Sequence, residues 1–140
     1  MPEVKAKWIS GLEFSVLQDG HTFSIDGDAG FGGRDRGPRP KNLLLSALAG
    51  CTGMDVVSIL RKMKIENYSL EIRVSGELTD EHPKVFHKID VAFLFTGDDL
   101  PPAKLRRAVA LSRDKYCGVS AMLKKTADIS YAILINGEET

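Results

Sequence analysis

The sequence predicts an α+β fold in which strands and helices are segregated along the chain. Alternating apolar and polar residues mark strands, whereas apolar residues spaced three and four apart mark helices. Together these patterns give the order βββ-α-ββ-αα-β over 140 residues. Because strands and helices do not alternate regularly, we expect antiparallel sheets rather than a doubly wound parallel sheet. The length suits one domain, residues 1–140.

Composition and charge exclude several classes of function. The 19 basic and 19 acidic side chains cancel, and their signs alternate along most of the chain. The broad positive field that nucleic-acid binding requires is therefore missing. The first residues lack a secretory apolar core, and polar residues interrupt the most apolar stretch, residues 43–60. We expect a cytoplasmic protein that binds neither nucleic acid nor membrane.

The first quarter of the chain predicts a small sheet followed by a loop. Three short alternating runs between Val4 and Asp26 predict an antiparallel meander, with turns at Ser10-Gly11 and Asp19-Gly20. The segment Gly27–Arg39 contains five glycines, which predicts a flexible loop without regular structure.

One long helix is predicted over Lys41–Lys64. Pro40 stands where a helix tolerates proline best, and basic residues suit the carboxyl end of the helix dipole. The first half is apolar on nearly every face, so this central helix should be buried, with Cys51 near its middle. Further along, a polar stripe is predicted at Asp55, Ser58 and Lys62.

The second half of the chain predicts two long strands, two helices and a final strand. The strands are Tyr68–Thr79 and Val85–Thr96, and the first helix is amphipathic and ends near Tyr116. After a break at Cys117-Gly118, a short helix runs to about Lys125. The last strand places one set of apolar residues on one face: Ile129, Tyr131, Ile133 and Ile135.

The two cysteines, Cys51 and Cys117, are the candidate reactive groups. In a reducing compartment a pair of cysteines is more often reduced or reactive than held in a permanent disulfide. Cys117 directly precedes a short helix and follows Arg113 and Lys115, which predicts a lowered thiol pKa. Two separate buried thiols without a chemical role are the alternative.

Glycines surround the other cysteine. Gly50 and Gly53 flank Cys51 and leave room for another backbone or a ligand, although each costs about 1 kcal/mol of helix propensity relative to Ala. One turn further on, the carboxylate of Asp55 would raise the thiol pKa of Cys51 if it is close and ionised.

A thiolate at Cys51 therefore needs a cation from elsewhere. The nearest supply in sequence is the loop before the helix, which carries Arg34, Arg36, Arg39 and Lys41. A solvated basic loop without a role at the thiol is the alternative.

Other common sites lack their motifs. The glycine-rich loop matches neither dinucleotide-binding nor P-loop spacing, and no serine stands in a nucleophile elbow. With two distant cysteines, the histidines show no zinc-site spacing: His21, His82 and His87. We expect no cofactor and no metal.

Two motifs carry a resemblance to a known family. A long helix begins after G-x-x-P and contains A-x-x-x-C (Pro40–Cys51), and a second cysteine stands in Y-C-x-V-S (Tyr116–Ser120). This arrangement resembles the OsmC/Ohr family over essentially the whole chain. The segments GCTGMDVVSILRKMK and KYCGVSAMLKK look most like its uncharacterised branch.

The resemblance implies a fold, an assembly and a reaction. It implies an intertwined homodimer in which each amino-terminal meander joins the partner's sheet and the two central helices pack inside. In the peroxidases of this family the first cysteine attacks an organic hydroperoxide and becomes a sulfenic acid. The second cysteine resolves it as a disulfide, which a dithiol reductant then opens. These roles fall on Cys51 and Cys117.

The chain departs from the family at two positions. Peroxidase members carry a glutamate directly after the proline that starts the central helix, and this position is Lys41 here. They also carry an arginine on the strand before the loop, whereas Thr22–Asp26 contains none, so Arg34 or Arg36 would have to replace it.

The sequence thus predicts a dimeric cysteine peroxidase that reduces organic hydroperoxides or hydrogen peroxide. The alternative is a non-catalytic module that binds a small hydrophobic or anionic ligand in the dimer cleft or senses redox state.

Overall fold

A computed structural model describes residues 1–140. The chain forms two compact units, Met1–Leu44 and Leu45–Thr140. The predicted order βββ-α-ββ-αα-β is confirmed, with a short 3-10 turn, a π turn and a two-residue strand added to it. That the chain is one domain remains a prediction.

The first unit contains a three-stranded antiparallel sheet. Its strands are β1 (Val4–Ser10), β2 (Glu13–Gln18) and β3 (His21–Ile25), in the order β1-β2-β3. Gly11 and Gly20 occupy the two turns with φ of 55° and 79°, a backbone conformation that residues with a side chain rarely adopt. The predicted meander is therefore present, with its turns at the predicted positions.

The segment after β3 is a loop in which several hydrogen bonds converge on one carboxylate, and its flexibility stays a prediction. The buried carboxylate of Asp26 accepts hydrogen bonds from the backbone N–H groups of Gly27, Arg34 and Arg36. Burial opposes ionisation of Asp26, but these three backbone donors outweigh it and hold the pKa of the carboxyl below its usual range. Glycine content excluded a helix or strand here, yet one carboxylate is enough to organise the loop.

Two glycines of this loop are required by close backbone approach. A Cβ at Gly33 would collide with the backbone of Gly27, and a Cβ at Gly37 would collide with the carbonyl of Ser24. A short 3-10 turn, Ala29–Phe31, lies between them and Asp26 in sequence.

The central helix, α1, spans Leu43–Lys62. It begins two residues later than predicted because Leu43 and Leu44 bond the carbonyls three residues back, at Pro40 and Lys41, so the first turn is not yet α-helical. One face is buried in the second unit: Leu48, Thr52, Val56 and Leu60. The opposite side is exposed, so within one chain the expectation of a helix buried on nearly every face is wrong.

By length and composition α1 could cross a membrane, and 22% of its most apolar window is buried within the chain. A helix in the core of a soluble protein meets the same criterion. The exposed apolar side includes Leu44, 46% exposed, and Met54, 76% exposed.

The second unit contains a four-stranded sheet in the order β4-β5-β6-β7. Its strands are β4 (Ser69–Leu78), β5 (Phe86–Thr96), β6 (Asp128–Ile135) and β7 (Glu138–Glu139). The pairs β4–β5 and β6–β7 are antiparallel as expected, whereas β6 runs parallel to β5. The helices between β5 and β6 form the crossover connection that a parallel pair requires.

The inner face of β5 carries much of the core. Ile89, Val91, Phe93 and Phe95 are buried as the alternation predicts. The same alternation, continued to the predicted start of the strand, places Val85 inside, but Val85 is 38% exposed and Phe86 is buried instead. The cause is a register shift between Glu77 and Leu78 of β4, which changes which residue faces the core.

Two helices with an irregular connection bring the chain to the last sheet strands. Helix α2 spans Pro102–Leu111, a π turn covers Ser112–Tyr116, and α3 spans Gly118–Leu123. The Cys117 N–H donates to the carbonyl of Ser112 at 2.8 Å, which closes the wide π turn. Such turns are rare and often occur at functional sites.

Candidate functional site

The second unit brings Cys51 and Cys117 together. Cys51 projects from α1, and Cys117 stands at the start of α3. Their sulfur atoms and a carboxylate oxygen of Asp55 all lie within 4.8 Å of one another. Both cysteines are free thiols. The two candidate nucleophiles are therefore close in space, and Asp55 is their immediate neighbour.

A buried serine holds Asp55 in place. Ser112 Oγ donates to Asp55 Oδ2 at 3.0 Å and lies 2.7 Å from Thr52 Oγ1. A serine hydroxyl has one proton, and this proton goes to the carboxylate, so Thr52 donates to Ser112. Ser112 is fully buried and its carbonyl also accepts the N–H of Cys117. One residue thereby connects α1 to the second cysteine.

Asp55 is not part of an outward polar stripe as expected. Ser58 and Lys62 are exposed, whereas Asp55 is half-buried and faces Ser112 and the sulfurs. The sequence does contain one indication that Asp55 lies near Cys51, because a spacing of four residues places both on one helix face. Ser112 carried no comparable signal, and it was missed.

Cys117 is the amino-terminal cap of α3. The Ser120 N–H donates to Cys117 Sγ at 3.4 Å, and Ser120 Oγ donates to the carbonyl of Cys117 at 3.1 Å. The thiol is 3% exposed. The predicted placement of Cys117 at a helix start is thus present, with the expected backbone donor aimed at its sulfur.

The predicted lowering of the Cys117 pKa is nevertheless wrong. Burial raises the pKa of the thiol, the Ser120 N–H lowers it, the adjacent Cys51 thiol raises it further, and the net direction is upward. The two basic residues that were expected to help are occupied elsewhere. Arg113 binds both carboxylate oxygens of Asp114 at 2.8 and 2.9 Å, and Lys115 lies over the ring of Tyr116.

The glycines beside Cys51 have different roles. A Cβ at Gly53 would lie 2.8 Å from Ile72 Cδ1, so a side chain of β4 occupies this space instead of the backbone or ligand that was expected. A Cβ at Gly50 would meet nothing within 4 Å. Gly50 instead borders an open groove of about 470 Å³, lined by one face of α1: Gly50, Gly53, Met54, Val57, Ser58 and Arg61.

The loop arginines have defined partners within the first unit. Arg34 pairs with Glu13 at 3.3 Å, and Arg39 pairs with Asp35 at 2.6 Å. Arg36 uses its backbone N–H on Asp26, and its exposed side chain forms no ion pair. The assignment of Arg34 or Arg36 to the Cys51 thiolate stays a prediction.

Comparison with known families identifies the chain. The profile of a family described as "OsmC-like protein" matches residues 32–132. The chain belongs to the OsmC-like family. Protein YhfA of Escherichia coli strain K12 is 37% identical over 131 residues, which cover 93% of this chain and 95% of that protein. The resemblance inferred from the two cysteine motifs is confirmed, and members of this family are soluble proteins.

Solved structures of other proteins share the fold. A hypothetical protein from Aquifex aeolicus VF5 is 28% identical with a TM-score of 0.81, and the match covers 97% of this chain and 98% of that one. The organic hydroperoxide resistance protein OhrB of Bacillus subtilis is 21% identical with a TM-score of 0.64, at the same coverages. The predicted α+β fold is thereby confirmed.

Removing the hydroxyl of Ser112 is expected to destabilise the second unit. The Ser112→Ala change leaves Thr52 and Asp55 without their buried partner, which costs about 1–3 kcal/mol. Urea unfolding at fixed protein concentration measures this loss of stability. The matched control is Ser75→Ala at an exposed position of β4, which is expected to stay within about 0.5 kcal/mol of wild type. Equal stability of the two variants would contradict the role given to Ser112.

The pH dependence of alkylation is expected to separate Cys117 from an activated thiol. Because burial raises the pKa of Cys117, its thiol form persists to higher pH, and alkylation should increase only above the ordinary thiol range, about pH 8.5. Mass spectrometry of the Cys117 peptide gives the rate at each pH. An inflection below that range would restore the helix-start prediction.

Proposed function

We propose that the protein is a cysteine peroxidase that reduces organic hydroperoxides or hydrogen peroxide, with Cys51 as the attacking thiol. One observation carries this proposal: two free thiols lie within 4.8 Å of each other, and they differ in access. Cys51 is half-buried, whereas Cys117 is 3% exposed. A peroxide must reach the attacking sulfur, while the resolving sulfur needs only to reach its partner.

The reaction balances with these two thiols and a dithiol reductant. The Cys51 sulfur attacks the peroxide O–O bond, which gives a Cys51 sulfenic acid and releases an alcohol, or water from hydrogen peroxide. The Cys117 thiol then displaces water and forms the Cys51–Cys117 disulfide. A dithiol reduces this disulfide and itself becomes a disulfide, which restores both thiols. No cofactor is needed.

Family membership supports the reaction class, since relatives of this fold include proteins named for organic hydroperoxide resistance. A thiolate at Cys51 requires a positive charge nearby. Asp55 adds negative charge beside both sulfurs, and Lys41 replaces the family's glutamate. Arg34 and Arg36 remain the proposed cations for Cys51, and Arg36 has the uncommitted side chain.

A redox sensor without rapid turnover is the second candidate. The buried Cys117 thiol has a raised pKa, and a carboxylate stands beside both sulfurs. Both features slow thiolate chemistry, which suits a disulfide that closes in response to oxidation rather than one that cycles quickly. The alternative of a small-ligand module in a dimer cleft requires the groove along α1 to stay open.

Peroxide consumption with a dithiol reductant distinguishes these functions. Cys51→Ser should lower the rate by roughly 100-fold or more, because the nucleophile is lost. Cys117→Ser should react once and then stop without added monothiol, and Arg36→Gln should be slower than wild type. Ser75→Ala, at an exposed position of β4, is the matched control. If wild type and Cys51→Ser are equally slow with cumene hydroperoxide and hydrogen peroxide, the enzyme proposal fails, and a peroxide-induced disulfide would then favour the sensor.

We also propose that two copies associate through the open side of α1, in the cytoplasm, where both thiols stay reduced. This side is apolar, with Leu44, Met54 and Val57 exposed by 37–76%. Gly50 lies on the same side, where nothing within the chain requires a glycine. A second α1 packed closely against it accounts for both the exposed apolar residues and the missing side chain.

A charge on this side of α1 is expected to break the association. Met54→Lys should convert the wild-type dimer to a monomer, because burying an unpaired ammonium between two helices is costly. The matched control is Met122→Lys, since Met122 on α3 is similarly exposed at 66%. Sedimentation at several protein concentrations gives the mass. A monomeric wild type, or a Met54→Lys variant that stays dimeric, would contradict the proposal.

A further inference from the structure

The cluster of Cys51, Asp55 and Cys117 has the composition of a cation site. Two sulfurs and a carboxylate oxygen converge within 4.8 Å, and ionisation of all three would bring three negative charges together. Arg113, the nearest arginine in sequence to Cys117, is already bound to Asp114. We propose that these three side chains bind one thiophilic divalent cation of the Zn²⁺ class, with a fourth coordination position left open.

The present positions require little adjustment to bind such an ion. With Zn–S bonds of about 2.3 Å and Zn–O bonds of about 2.1 Å, the two sulfurs and the oxygen of one tetrahedral site lie about 3.6–3.8 Å apart. Atoms now within 4.8 Å therefore need to approach one another by at most about 1.2 Å. Cys51 and Asp55 are one helical turn apart on α1 and share a face, and Cys117 supplies the third atom from another element.

Hydrogen bonds already orient two of the three ligands. The Ser112 hydroxyl fixes one oxygen of Asp55 and is itself fixed by Thr52. The Ser120 N–H donates to the Cys117 sulfur, a bond that favours the thiolate. Outer contacts of this kind hold metal ligands in position and contribute to affinity. These hydrogen bonds thus already hold the Asp55 and Cys117 ligand atoms in position.

The donor set selects the class of ion. Two thiolates favour Zn²⁺ and similar soft ions over Mg²⁺ or Ca²⁺, which prefer a shell of oxygens. Three protein ligands with an open position are typical of exchangeable or reactive zinc sites, whereas structural sites use four. Sequence spacing could not indicate this set, since Cys117 is far along the chain from the other two ligands.

This inference goes beyond the proposed peroxidase and does not depend on it. The same two sulfurs cannot hold a metal and form a disulfide at once. One hydroperoxide molecule with two protons oxidises both thiolates to the disulfide, gives one alcohol and one water, and releases the cation. Zn²⁺ should therefore protect the thiols from peroxide, and oxidation should release Zn²⁺.

The test uses the full-length reduced protein, freed of metal with a chelator and kept in a phosphine reductant. Zn²⁺ affinity is measured by competition with a chromophoric chelator, and Co²⁺ is used as a spectroscopic probe. We expect one equivalent of either ion, with thiolate-to-Co²⁺ charge-transfer absorption and the intense visible bands of a tetrahedral site.

Single substitutions test each ligand. Cys51→Ser, Cys117→Ser and Asp55→Asn should each weaken Zn²⁺ binding by more than the roughly 10–100-fold expected for the outer-contact variant Ser112→Ala. Asp55→Asn should keep the charge-transfer band, because both sulfurs remain. The matched control Asp98→Asn, at an exposed loop position, should bind like wild type. Far-ultraviolet circular dichroism verifies that each variant is folded.

Three results would overturn the proposal: less than one equivalent bound, an octahedral Co²⁺ spectrum without charge transfer, or wild-type affinity in folded Asp55→Asn. The peroxidase assay is run separately on metal-free protein. Loss of turnover with intact Zn²⁺ binding would reject the peroxidase alone, and turnover without Zn²⁺ binding would reject the metal site alone.

Discussion

The buried hydroxyl of Ser112 is the contact on which the site depends. Its proton goes to Asp55 and its oxygen accepts from Thr52, so two residues of α1 are tied to the end of α2. The carbonyl of the same residue accepts the N–H of Cys117 across a π turn. Because Ser112 and Thr52 are fully buried, their polar groups would be expensive to leave unpaired. This arrangement fixes the second cysteine opposite the first.

The consequence is a pair of thiols whose chemistry is set by burial and charge together. Burial keeps Cys117 away from solvent and raises its pKa, while Cys51 remains accessible. Asp55 adds a carboxylate to the two sulfurs, so the cluster favours any positive charge that can reach it. An arginine would activate Cys51 for attack on a peroxide. A thiophilic cation would bind both sulfurs and prevent this attack. The proposed peroxidase and the proposed metal site thus depend on the same property, the preference of this cluster for a nearby positive charge.

Much of the fold could be predicted from the sequence, because periodicity reports which side of an element is buried. The strands, the central helix and the cysteine motifs were found in this way. The burial of Phe86 in place of Val85 could not be predicted, since it results from an extra residue, His87, where the pairing of β5 with β4 shifts register. The contacts of Ser112 join residues 57 and 60 positions apart, a distance at which local patterns carry no information. The Cys117 pKa was predicted in the wrong direction. The position of this residue before a helix can be read from the sequence, whereas the burial of a single residue between two elements cannot.

The fold brings Cys51 and Cys117 into direct reach of each other within one chain. Peptide mapping under non-reducing conditions, after one equivalent of hydroperoxide is added to the metal-free reduced protein, tests this placement. We expect a single crosslinked species in which the Cys51 and Cys117 peptides of one chain are joined, with the loss of two hydrogen atoms. Disulfides between chains, or sulfinic acid at Cys51 with a free Cys117 thiol, would contradict it.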